Sequence, residues 1–100
     1  MDGSTLQWTE EMLISIERMA GAAFSFEEMA DVLEIEQAAF SLATREEGHP
    51  VQKRIRKGML TRQLELRERI FKDAKNGSSP AQTLAVKLLD NMKIDYSGLL

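Results

Sequence analysis

The chain has 100 residues, a length that fits one domain with a modest core. Its 13 Lys and Arg against 16 Asp and Glu leave a net charge of −3, and the lack of cysteine excludes disulfides, thiol nucleophiles and thiolate metal sites. No apolar run approaches the roughly 20 residues of a membrane helix, and the opening Met1-Asp2-Gly3-Ser4-Thr5 lacks the basic and apolar regions of a signal peptide, so a cytoplasmic protein without membrane contact is expected.

Helix-favouring Ala, Leu, Met, Glu, Lys and Arg dominate and β-branched residues are scattered, which predicts an all-α fold. A first helix is expected over about residues 9–20, with Thr9 as N-cap and Glu10 and Glu11 at the positive end of the dipole. Trp8, Met12, Leu13, Ile16 and Met19 supply its apolar stripe, with Trp8 as a core anchor, and Gly21 its stop. Ser25-Phe26-Glu27-Glu28 fits a capping box for a short second helix ending near Leu33, with Phe24 and Met29 placed for a hydrophobic staple. A turn at Glu34 and Ile35 leads to a third helix over about 37–45, with Ala38, Ala39, Phe40, Leu42 and Ala43 as its apolar content. The loop 46–50 follows, and Pro50 suits the first position of a long fourth helix that stops before Gly77. Gly58 inside that helix marks a kink or a close approach of another helix. Ser79 is the expected N-cap of a fifth helix, with Pro80 at N1 and Gln82 completing a second capping box. Ala81, Leu84, Ala85, Leu88, Leu89 and Met92 form its stripe, and 96–100 is expected to be a loose tail.

Residues 26–43 have the spacing of a helix-turn-helix, with Ala30 as the small residue where two helices cross and Met29, Leu33, Ile35 and Phe40 at the apolar offsets. The turn has Glu34 where glycine is usual, and Glu36 opens the next helix in place of Ser or Thr. The outward residues of that helix are expected to be Glu36, Gln37, Ser41, Thr44 and Arg45, which is not a basic face. The expected organisation is a trihelical unit over 1–48, then an antiparallel hairpin of a long basic helix and a shorter one over 49–95.

Charge divides unevenly. Residues 1–50 hold eleven acids and two bases, Arg18 and Arg45, whereas 51–100 hold eleven bases and five acids. The halves then meet different partners or each other in an assembly; the plainer alternative is two solvated faces of one monomer. Lys53, Arg54, Arg56 and Lys57 are the densest basic cluster, the better place for phosphate contacts insensitive to sequence. Gln37, Ser41, Thr44 and Arg45 are the candidate DNA contacts of the third helix. On the fourth helix Ile55, Met59, Leu66 and Ile70 line one stripe and Leu60, Leu64 and Phe71 another. The fifth helix covers one; the Leu60, Leu64 and Phe71 stripe is the candidate oligomerisation surface, with burial inside the monomer as the alternative, and a head-to-tail contact that closes gives a ring.

No catalytic, cofactor or metal residue is expected. His49, the sole histidine, lies beside Pro50 as a cap or surface residue, and Ser78 and Ser79 have no base to activate them. Glu27, Glu28 and Asp31 lack an oxygen cage for a cation, and there is no phosphate-binding glycine loop. Glu10 with Glu11 and Glu46 with Glu47 suit solvated surface charge.

The order of these parts resembles the small subunit of phage terminases over roughly residues 8–90: an amphipathic helix with Ala20-Gly21; Phe26-Glu27-Glu28-Met29-Ala30-Asp31-Val32-Leu33-Glu34-Ile35; Ala39-Phe40; His49-Pro50-Val51-Gln52-Lys53-Arg54-Ile55-Arg56-Lys57-Gly58; Phe71-Lys72-Asp73-Ala74; then Asn76-Gly77. The resemblance implies a non-catalytic DNA-packaging component of the host cytoplasm, with a trihelical DNA-binding domain, a ring-forming hairpin and contact with a large terminase subunit. A helix-turn-helix transcriptional regulator and a protein-binding helical adaptor without DNA affinity are the alternatives.

Overall fold

The computed structural model describes residues 7–99; the signal-peptide expectation for 1–5 and the final residue of the expected tail lie outside them. Five helices and no strand occur among the described residues, as an all-α fold requires. Contacts group them into two compact units, one extending to Arg62 and the other beginning at Gln63. The first unit therefore takes in the N-terminal half of the fourth helix, beyond the boundary expected after residue 48.

In the first unit, α1 (Glu10–Gly21) begins where Thr9 Oγ1 accepts the Met12 N–H at 3.2 Å. α2 (Phe26–Leu33) carries the expected reciprocal cap: Ser25 Oγ accepts the Glu28 N–H at 3.1 Å and Glu28 Oε1 accepts the Ser25 N–H at 2.8 Å. Phe24, the expected staple partner of buried Met29, stays exposed. α3 (Gln37–Arg45) packs against α2, and α1 packs against α2. α4 (Pro50–Lys75) is capped by the histidine: the Val51 N–H donates to His49 Nδ1 at 3.0 Å. Gln52 braces this entry, accepting the Gly48 N–H at 3.2 Å and donating to the Thr44 carbonyl at 3.3 Å.

These helices close over one core of Leu13, Ile16, Met19, Ala20, Met29, Ala30, Phe40, Ala43, Val51 and Ile55, with Trp8, Leu33 and Ile35 packed on it. Phe40, Ile16, Met29 and Val51 are its largest fully buried side chains, each worth about 1.5–3 kcal/mol of transfer free energy. Trp8 anchors this core, its ring 6.1 Å from Phe40 and edge-on to His49 at 5.7 Å.

Gly21 does not act as the left-handed stop. It is the last residue of α1, and Ala23 takes the positive φ of 64°. What Gly21 permits is proximity: a Cβ there would lie 3.3 Å from the Gly58 carbonyl oxygen. Gly58 is the stricter case, because its Cβ would lie 2.2 Å from the Glu17 carbonyl oxygen and 3.1 Å from Ala20 Cβ. Of the two roles expected for Gly58, a kink or a close approach, the approach is the one seen.

In the second unit, Gly77, at φ 101°, turns the chain from α4 into α5 (Ser79–Tyr96). The cap is one residue earlier than expected. Ser78 Oγ accepts the Ala81 N–H at 3.3 Å, so Pro80 falls at N2 and there is no second capping box. The Gln82 amide donates instead to the Ala74 carbonyl at 3.1 Å, satisfying an end carbonyl of α4 across the turn. α5 continues through Tyr96, into the expected tail. Among the apolar residues described in this unit, only Ala81 and Ala85 are buried.

Helix propensity alone favours alanine over glycine by about 1 kcal/mol inside a helix. Gly58→Ala should do the reverse, destabilising the protein by about 1–3 kcal/mol through overpacking. Urea unfolding followed by circular dichroism checks the sign; a stabilised variant would remove the close approach as an explanation.

Candidate nucleic-acid interface

The basic cluster is built on the first turns of α4, and its members do different things. Arg54 pairs with Glu10 and reaches Glu17 at 3.5 Å, while Lys57 reaches Glu17 at 3.8 Å. Glu10 and Glu17 are seven residues apart on α1, and Arg54 and Lys57 three apart on α4, so each pair shares a helix face. Arg54 and Glu17 are partly shielded, with side-chain exposures of 25% and 27%. Arg62 Nε donates to the Gly21 carbonyl at 2.7 Å, at the C-terminal end of α1. Lys53 and Arg56 are exposed, and so is Lys57, whose side chain is 66% exposed despite its reach to Glu17.

The charge division between halves therefore changes meaning. The unit ending at Arg62 holds eleven acids and seven bases, a balance of −4, and the remainder holds six bases and five acids, a balance of +1. Two of these acids, Glu10 and Glu17, meet Arg54 and Lys57 of α4 in ion pairs.

The four residues expected on α3 also separate. Gln37 and Arg45 are exposed, Ser41 is half-buried, and Thr44 is buried with its hydroxyl donating to the Ser41 carbonyl at 2.7 Å. Thr44 does not face outward, because it falls on the side of α3 that carries Phe40 and Ala43 into the core. Arg45 Nε leans back on the Ser41 carbonyl at 3.4 Å. Leu42, part of the apolar content expected for α3, stands 65% exposed. Glu34 in the α2–α3 turn adopts the left-handed conformation, φ 57° and ψ 43°, which glycine usually fills.

Leu60, Leu64 and Phe71, the stripe expected to serve assembly, are all exposed, at 57%, 59% and 39%. On the other stripe, Met59 and Leu66 are exposed and Ile70 is half-buried. Leu84, Val86, Leu89, Met92 and Tyr96 of α5 are exposed too. An open depression of about 390 Å³ lies beside Glu11, Met12, Ile14, Ser15 and Leu33. No group of three or more His, Asp or Glu among the described residues is placed to hold a metal ion, and no described helix is long and apolar enough to cross a membrane. No family model, curated protein or solved structure matches this chain.

The pairing of Arg54 with Glu10 and Glu17 was not foreseen. The signal was present as two acids one heptad apart on α1 and two bases one turn apart on α4, but only a known crossing sets them opposite one another.

Two measurements follow. A double-mutant cycle with Arg54→Ala and Glu17→Ala should give a coupling of about 0.5–1 kcal/mol that shrinks with added salt; additive effects would mean the pair contributes nothing. Glu34→Gly should raise stability by about 0.5–1 kcal/mol, since glycine enters the left-handed region without the steric cost. A lower melting temperature for that variant would contradict the turn geometry.

Proposed function

We propose that this protein is a non-catalytic DNA-packaging component of the terminase-small-subunit kind, which binds DNA and self-assembles. The observation that carries this is the exposure of Leu60, Leu64 and Phe71 along α4, on the same helix whose first turns present Lys53 and Arg56. Monomers rarely leave that much large apolar surface on one element unless something covers it. The α2–turn–α3 unit is of helix-turn-helix type, and α4 with α5 is an antiparallel hairpin whose outer stripe meets other copies. DNA contact is through phosphates, from Lys53 and Arg56 with support from Arg45 and Gln37. Arg54 and Lys57 chiefly hold α4 on α1. Sequence readout is weak, because α3 offers one base and a balance of −4 surrounds it. A large terminase subunit is the partner implied by the family resemblance.

One observation favours a second account. Leu42 stands 65% exposed on the face of α3 that would enter a groove, which suits a helical adaptor that binds protein and has no DNA affinity.

Light scattering coupled to size exclusion and duplex-DNA titration at several salt concentrations separate the two. The packaging account expects an oligomer that Leu64→Glu dissociates, and DNA affinity that falls steeply with salt. Replacing Lys53 and Arg56 together by Gln should lower the salt slope by about two. A monomer with no DNA affinity at low salt leaves the adaptor.

A further inference from the structure

Lys53, Arg56, Leu60, Leu64 and Phe71 follow one another on α4 at steps of three, four, four and seven residues, so helical register puts them on one face. All five are exposed. The apolar segment of this face is bordered by one charge of each sign, Arg67 on one side and Glu68 on the other, the pattern by which helices of like chains pair without net repulsion. A second copy presenting its own α4 is the occupant this pattern suits. The two ends of the face are different, because each is basic: Lys53 and Arg56 precede the apolar segment, and exposed Lys72 and Lys75 follow it.

A copy seated on Leu60 comes within one helical turn, about 5–6 Å along the axis, of Arg56. If it lies parallel, its own Lys53 and Arg56 arrive beside those of the first copy. If it lies antiparallel, its Lys72 and Lys75 arrive there instead. Either orientation sets bases beside bases at the rim of the contact. That crowding opposes assembly and at the same time doubles the local cationic density, which is the quantity a phosphate backbone responds to.

We infer that self-association through α4 and polyanion binding are positively linked: each copy added completes a phosphate-binding rim, and a polyanion relieves the repulsion that limits assembly. This rests on the account above, in which the chain both binds DNA and assembles. Linkage is reciprocal, so the factor by which DNA strengthens assembly is the factor by which assembly strengthens DNA binding.

The test uses the full chain in sedimentation velocity at about 0.1 M salt, where the screening length is roughly 10 Å, with a mixed-sequence DNA duplex long enough for two copies. Leu64→Glu and the double variant Lys53→Gln/Arg56→Gln change exposed residues only, and circular dichroism verifies their fold. Duplex should lower the concentration of half-assembly by about tenfold. Leu64→Glu, with every base retained, should lose duplex affinity by about the same factor. The Lys53→Gln/Arg56→Gln variant should assemble at least as well as the parent without DNA, yet no longer respond to it. If the parent binds duplex and assembles but Leu64→Glu binds as tightly as the parent, the linkage is overturned while the proposed function stands. If the parent neither binds duplex nor assembles, both fall together.

Discussion

Helix α4 approaches α1 so closely that the backbone of Gly58 lies against the Glu17 carbonyl, where a side chain of even one carbon would come within 2.2 Å. Gly21 makes the matching allowance from the other helix. Close backbone approach brings Val51 and Ile55 into the core with Ile16, Met29 and Phe40. It also sets the ladder of polar contacts that runs along the crossing, from Glu10 with Arg54, through Glu17 with Arg54 and Lys57, to Arg62 on the Gly21 carbonyl. The apolar burial supplies most of the stabilisation, since part-exposed ion pairs are worth little each. Their geometric role is larger: they turn one side of α4 toward α1 and leave Lys53 and Arg56 on the other.

Beyond Arg62, no described residue of the same helix is buried. Among the described residues from Gln63 onward, two alanines are buried and Leu64, Leu66, Phe71, Leu84, Val86, Leu89 and Met92 are exposed. Small side chains at Ala81 and Ala85 let helices approach, but two of them bury little apolar area. A segment of this kind keeps its helices by capping, at Ser78 and through Gln82 on Ala74. The contrast therefore runs along α4 itself, with Val51 and Ile55 inside a core and Leu60, Leu64 and Phe71 exposed.

Electrostatics distinguish the two surfaces that the helix-turn-helix spacing and the basic cluster each suggested for DNA. The α2–α3 unit has acids at Glu27, Glu28, Asp31, Glu34 and Glu36 and one base on α3, Arg45. Phosphate would meet repulsion there, and Leu42 offers apolar surface in place of a donor. The outer side of α4 is the reverse, with bases and no core obligation.

Much of the fold was legible from local chemistry. Thr9, the Ser25–Glu28 box and Pro50 marked helix starts because capping depends on residues within one turn of each other. Stripes at helical spacing named the core positions Leu13, Ile16, Met19 and Met29. His49, expected as a cap or a surface residue, caps α4. Where two local solutions competed, the sequence chose wrongly: Ser78 and Ser79 can both cap, and the turn from α4 selected the first. Of the DNA-contact candidates, Thr44 turned inward and Arg54 was drawn onto α1, because both outcomes depend on which face of a helix meets a distant element. The role of Gly58 shows the same limit. Its identity alone allowed a kink or an approach, and only the position of Glu17, 41 residues earlier in the chain, decided between them. The sequence by itself determined which segments are helical and, to within a residue, where they begin, since those are short-range matters; the tertiary structure decided which charges are paired inside the molecule and which stay exposed, since that depends on contacts no spacing rule can reach.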